Sequence, residues 1–224
     1  MSLTNAAKHQ RIQESLLAPL ESRILRFFAR IMPRWVNSDH LTALGLFGML
    51  VAGVFYYMSQ WNPVYLYLVN LAIAVNWFGD SLDGTLARHR NRQRPRYGYY
   101  VDHILDSFGA LALVAGLSLS GLMSERVAAG FLVAYLLLNI HIYLATTATG
   151  RFKISFGLVG PTELRIGLMI GNLFLIGRPT VGLFGHHYLL FDIGGVLGIV
   201  VLAGILVFST IRVTRELYCL ERFE

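Results

Sequence analysis

Apolar residues along this chain come in long unbroken runs, without the alternation of a half-buried strand or the three-to-four spacing of a soluble amphipathic helix. A helix needs roughly 20 apolar residues to cross the hydrocarbon core of a bilayer. Six segments meet or approach that length: about His40 to Met58, Pro63 to Leu86, Tyr99 to Met123, Val127 to Thr147, Thr162 to Ile176 and Leu189 to Thr210. The fifth is short and contains glycine. Ahead of them Ile12, Leu16, Leu20, Ile24, Phe27, Phe28 and Ile31 recur at helical spacing with basic residues between. That pattern predicts an amphipathic helix lying in the membrane interface, broken near Pro19. The expected fold is therefore all-α, a polytopic membrane protein with six transmembrane helices plus an N-terminal interfacial helix. It reads as one domain over residues 1–224, with 1–36 the interfacial segment and 37–224 the bundle, and no internal repeat.

Composition agrees with a bilayer as solvent. Hydrophobic residues make up 55% and charged residues 14%, where a soluble domain carries about a quarter charged. Cys219 is the single cysteine, so neither an intrachain disulfide nor a cysteine-built zinc site is available. The net charge of +6 does not call for nucleic acid, because the basic residues sit in short connections between apolar runs. Arg88, Arg90, Arg92, Arg94 and Arg96 follow the second run, and Arg151, Lys153 and Arg165 follow the fourth. The N-terminal segment and the tail are basic too, whereas Ser59 to Asn62 has no charge, Ser124 to Arg126 has one of each sign and Gly177 to Tyr188 has only Arg178. A six-helix arrangement puts every basic segment on one side, which places both termini in the cytoplasm; in a bacterium the membrane would be the inner one.

Carboxylates then change the picture. The second run ends in Asp80-Ser81-Leu82-Asp83-Gly84-Thr85-Leu86-Ala87-Arg88, so Asp80, Asp83, Gly84, Ala87 and Arg88 share one helix face. The third opens with Gly98, Asp102 and Asp106, each four apart, a second stripe. A short loop makes the two helices antiparallel neighbours, and facing stripes bring four carboxylates together near the cytoplasmic surface. An ionised aspartate in a spanning helix costs roughly 2.5–3.5 kcal/mol at mid-bilayer, and mutual repulsion adds to that. Hard divalent cations offset such a cluster, and a pair of ions about 3.5–4 Å apart needs bridging carboxylates. One aspartate at a helix end is ordinarily an interfacial residue; four at these spacings, with small residues on the same face, point to a site.

These residues resemble the CDP-alcohol phosphotransferases, which carry D-x-x-D-G-x-x-A-R and, about eight residues on, G-x-x-x-D-x-x-x-D. Asp80, Asp83, Gly84, Ala87, Arg88, Gly98, Asp102 and Asp106 fill all the fixed positions, with nine residues between Arg88 and Gly98. The resemblance implies that Asp80, Asp83 and Asp102 bind two Mg²⁺ or Mn²⁺ ions, and that Asp106 is a ligand or the general base on the acceptor hydroxyl. It implies that Gly84, Ala87 and Arg88, with Gly98, line the CDP site. Asn37-Ser38-Asp39-His40-Leu41-Thr42 resembles a P-N-x-x-T element of the family near the nucleotide, with Val36 in place of the proline; helix capping explains the same residues. His103, in D-H-x-x-D, and Glu163, in G-P-T-E, resemble the choline and ethanolamine phosphotransferase branch and join Asp106 as candidate catalytic groups. An interfacial helix start accounts equally for Glu163. Arg151, Lys153 and Arg165 are placed to hold a lipid phosphate or an anionic acceptor, whereas His186-His187 falls on the side opposite the aspartates.

The expected activity is transfer of a phospho-alcohol group from a CDP-linked donor to an alcohol hydroxyl, with release of CMP, in phospholipid synthesis. The partners implied are CDP-diacylglycerol or a CDP-alcohol as donor, a polar alcohol or a lipid as acceptor, membrane lipids, and a second copy in a homodimer. His103 and Glu163 lean towards a soluble CDP-alcohol as donor. A transporter for divalent cations or protons is the alternative from another class, because intramembrane carboxylates also mark ion paths. Such a site belongs near mid-membrane between repeats, whereas these aspartates cluster at one face. A catalytically silent scaffold would have no need of the complete set of motif residues.

Overall fold

A computed structural model describes residues 18–149, 161–183 and 185–221. Its elements are α1 Ala18–Ile31, α2 Ser38–Met58, α3 Tyr65–His89, α4 Pro95–Leu119, α5 Glu125–Thr149 and α6 Pro161–Gly177, then the strands β1 Thr180–Leu183 and β2 His186–Leu189, and finally α7 Leu190–Leu220. Each of the six expected runs is a helix. Four of them, α2, α4, α5 and α7, are long and apolar enough to cross a membrane. The other two depart from the expected six spans for separate reasons. Helix α3 is long but carries Asn70, Asn76, Asp80, Asp83 and Arg88. Helix α6 has 17 residues, about 26 Å of rise against a core of about 30 Å.

Between α6 and α7 the sequence reads as a plain connection, yet β1 and β2 form an antiparallel hairpin, from Thr180 opposite Leu189 to Leu183 opposite His186. Gly185 takes φ +82° at its turn, the left-handed conformation that tight hairpins require. His186 and His187 stand exposed on β2. Helix α7 continues to Leu220, ten residues past the expected end at Thr210.

Packing centres on α2, which lies against α3 on one side and α4 on the other; α5 pairs with α7, and α1 and α6 both rest on α3. Glycine permits the α2 contacts. A Cβ on Gly48 would stand 2.8 Å from the Ala72 carbonyl and the Asn76 amide of α3, and one on Gly116 of α4 would stand 2.0 Å from the Gly53 carbonyl. Backbones approach this closely only where side chains are missing, the usual device of helix pairs that lack a hydrophobic driving force in lipid. Tyr56, Leu66, Val69, Ile73, Val114, Leu117 and Leu175 form one buried core. Within it the Tyr56 hydroxyl donates to Asn172 Oδ1 at 2.7 Å, and Asn172 Nδ2 donates to Asn70 Oδ1 at 2.8 Å. That chain ties α2, α3 and α6 together with every polar group answered. On the outer faces Phe47, Leu50, Val54, Leu137, Leu144, Val200 and Phe208 are exposed, as lipid-facing residues are.

Helix α1 covers Ala18–Ile31, and the earlier part of the expected segment, including Ile12 and Leu16, lies outside the described residues. Leu25 and Ala29 are buried with Leu41, Leu82 and Leu86 in a second core against α3. The Arg90 guanidinium donates to the carbonyls of Met32 and Pro33, at 2.9 Å each, and to that of Val36. One arginine after α3 thus holds the carbonyls that follow the end of α1, where a cation is favourable.

Candidate active site

Helix α3 packs antiparallel to α2 and α4 packs parallel to it, which brings the end of α3 and the start of α4 around the first turns of α2. Asp80, Asp102 and Asp106 line one small cavity of about 20 Å³, together with Thr42, Gly45, Met49 and Asn76. That volume is little more than a water-sized sphere needs. Asp83 lies beside it, only 6% exposed, and accepts a hydrogen bond of 2.6 Å from the Thr42 hydroxyl. Thr42 also donates towards the Ser38 carbonyl at 3.1 Å, so the hydroxyl is held between its own helix and α3. The Asp80 carboxylate accepts from Arg165 of α6 at 2.6 Å, a charge-assisted pair with both partners mostly buried.

The structure brings Asp80, Asp102 and Asp106 to one cavity together with Thr42, with α3 and α4 each packed on α2. Asn37 caps α2, its backbone N–H donating to His40 Nδ1 at 3.2 Å, and is exposed. Arg88 lines a second cavity, where its guanidinium donates to Thr85 Oγ1 at 3.1 Å. The Arg88 guanidinium also covers Gly84, where a Cβ would meet it at 3.3 Å, and Ala87 is half-buried on the same helix. Gly98 faces open space, with no atom within 4 Å of a Cβ built there.

His103 and Glu163 line neither cavity. The His103 ring is stacked on Tyr143 with centroids 4.9 Å apart and meets the edge of Tyr99 at 4.3 Å. Glu163 lies in the first turn of α6, and from that segment it is Arg165 that reaches the aspartates. Arg151, Lys153 and Gly160 lie outside the described residues.

Sequence reasoning missed two side chains of this region. Asn76 stands four residues before Asp80 on the aspartate face of α3; its Nδ2 donates to the Gly45 carbonyl at 2.9 Å, and its Oδ1 is buried without a partner in the cavity wall. The spacing alone could have found it. Glu21 of α1 lines the second cavity, which has a volume of about 460 Å³ and shares Asp80 with the first. Only the folded position of α1 reveals that residue.

The donors around the small cavity are oxygens alone: the carboxylates of Asp80, Asp102 and Asp106 and the unanswered Asn76 Oδ1. This set suits a hard divalent cation in chemical type. Among the described residues no three acidic, histidine or cysteine side chains stand close enough together to form a ligand shell. A search of curated proteins finds no match to the chain. The family model of the CDP-alcohol phosphatidyltransferases matches residues 35–211, which takes in α2 to α6 and most of α7 and every residue of the aspartate motif, and leaves α1 outside. The chain, with its carboxylates gathered between α3 and α4, belongs to the CDP-alcohol phosphatidyltransferase family.

Proposed function

We propose that this protein is an integral membrane phosphotransferase that moves a phospho-alcohol group from a CDP-linked donor to an alcohol hydroxyl and releases CMP. The observation that carries this reading is the shared cavity of Asp80, Asp102 and Asp106, inside the span that matches a family of transferases of phospholipid synthesis. Asp80, Asp83, Asp102 and Asp106 would hold two Mg²⁺ or Mn²⁺ ions, whose chemistry is to neutralise the diphosphate and the charge that develops as CMP departs. Thr42 fixes the Asp83 carboxylate by its hydrogen bond and so sets the direction in which that group presents its oxygens. Arg165 balances Asp80.

The chemical step is a displacement. The acceptor oxygen bonds to the β-phosphorus of the donor, the bond from that phosphorus to the CMP oxygen breaks, and the hydroxyl proton passes to the Asp106 carboxylate. Asp106 is preferred to His103 as base because it lines the cavity, whereas His103 is packed between two tyrosines. The second cavity opens from the same Asp80 and supplies an approach for the alcohol. The basic connection after α3 favours a cytoplasmic site, within reach of soluble nucleotides. A homodimer is the assembly this reading carries with it.

The test offers purified protein CDP-diacylglycerol or CDP-choline with a panel of polar and lipid alcohols, and follows CMP with and without Mg²⁺. CMP release that needs both an acceptor and the metal is the expected result, and the donor that works identifies which partner brings the lipid. Folded protein that releases no CMP with any combination would contradict the reading.

A further inference from the structure

Helix α1 presents three faces. Leu25 and Ala29 are buried against Leu82 and Leu86 of α3, and Glu21 and Phe28 share that side. Leu20, Phe27 and Ile31 form a second stripe with Ile24, at i, i+4, i+7 and i+11, and these three are each more than half exposed. Arg23, Arg26 and Arg30 form a third, at i, i+3 and i+7, and all are exposed. At 3.6 residues per turn the arginine stripe lies about a quarter turn to one side of the apolar stripe, and the bundle-facing stripe about a third of a turn to the other.

The exposed charge of this helix has a single sign. Its one carboxylate, Glu21, is 7% exposed and accepts from Trp77 Nε1 and Thr162 Oγ1, so it is spent inside the bundle. Arg94 and Arg165 pair with Asp39 and Asp80, whereas among the described residues Arg23, Arg26, Arg30 and Arg34 make no ion pair. Water would leave the apolar stripe and the exposed Trp35 wet, and a purely apolar cover would give the arginines no anion. An occupant must therefore be apolar under one stripe and anionic along its edge. The surface of an anionic bilayer has that profile. Helix α1 is placed to meet it, because only a short turn separates it from the start of α2, which is long and apolar enough to span.

We propose that α1 docks on the bilayer surface and selects for its charge: the apolar stripe enters the acyl boundary, and Arg23, Arg26, Arg30 and Arg34 bind the headgroups of anionic phospholipids as a class. These arginines all precede the span matched by the family model, and the proposal stands independently of the transferase reading.

The test is hydrogen exchange over Ala18–Ile31, measured by mass spectrometry on the full chain in nanodiscs. One preparation is phosphatidylcholine alone, and the other is equal parts phosphatidylcholine and phosphatidylglycerol. Exchange in α1 is expected to slow by at least about five-fold with the anionic lipid, the value of a single arginine beside such a surface, while α2 is unchanged. Phosphatidylserine is expected to serve as well, and high salt to abolish the effect by screening exposed charge. Replacing the four arginines together with Gln should remove the difference between the lipids. Phe27→Ser with Ile31→Ser should speed α1 exchange in both. All these side chains are exposed, and unchanged exchange in α2 to α6 verifies that the variants fold. Equal α1 exchange in the two lipids would overturn the proposal, as would a difference that survives the four substitutions or high salt. Protection by only one anionic lipid would mark a headgroup pocket, such as the second cavity that Arg26 and Arg30 also line, and would overturn it too. So would protection that follows protein concentration in place of lipid charge, which would give the face to a second copy.

Discussion

Thr42 shows how much of the site depends on a single hydroxyl. Asp83 is buried close to the other aspartates, and a carboxylate there needs donors to remain charged and fixed. The 2.6 Å bond from Thr42 is one of them. Thr42→Val preserves the shape of the side chain and removes the donor. We expect it to cost about 1–3 kcal/mol of stability, the value of a hydrogen bond to a buried charged group, and to lower turnover through a displaced Asp83. Thr42→Ser should restore most of both. Thermal unfolding and CMP release on the two variants check this, and a Thr42→Val protein as stable and as active as the wild type would refute it. At this scale the sequence was informative where spacing is local. Asp80, Asp102 and Asp106 meet because i, i+4 residues share a helix face, and Asn76 extends the same face by one more turn. Glu21 and Arg165 were hidden as partners because their contacts, to Trp77, Thr162 and Asp80, join segments far apart in the chain. No periodicity records such pairings.

Among the elements, the contact of α2 with α4 is the most exacting. Gly53 and Gly116 face each other so closely that a Cβ on Gly116 would lie 2.0 Å from the Gly53 carbonyl oxygen. Backbone opposes backbone here, so no side-chain rotation relieves the clash. Gly116→Ala should therefore separate α2 from α4 and cost about 3 kcal/mol or more, at the upper end of overpacking effects. Gly167→Ala on α6 is the matched control, because nothing lies within 4 Å of a Cβ there. Its removal of backbone freedom should leave stability unchanged or slightly higher. Melting temperatures in detergent test the contrast, and equal losses for the two variants would show that the close approach is not what holds the pair. The element boundaries of α2 to α6 follow the apolar runs to within a few residues, since lipid-facing helices announce themselves by composition. The hairpin of β1 and β2 did not. Its strands have four residues each, too few for an alternating pattern to stand out from a loop.

For the whole molecule, the arrangement separates two tasks. Apolar outer faces and glycine-mediated contacts set α2, α3 and α4 in register, and the polar network of Tyr56, Asn70 and Asn172 ties α6 to them. The carboxylates gather where α3 ends and α4 begins, while α1 closes over the same region and is held there by Arg90, Trp77 and Phe78. The carboxylates are thereby gathered at one end of a bundle whose remaining surface suits lipid. On the proposed mechanism Asp106 takes the acceptor proton in a site that still binds its donor without it. Asp106→Asn, nearly isosteric, is the direct measurement: CMP release and CDP affinity are determined side by side on the purified protein. Release is expected to fall by at least about a hundred-fold, the low end of general-base effects, while CDP affinity changes little. An Asp106→Asn protein that releases CMP at the wild-type rate would contradict it.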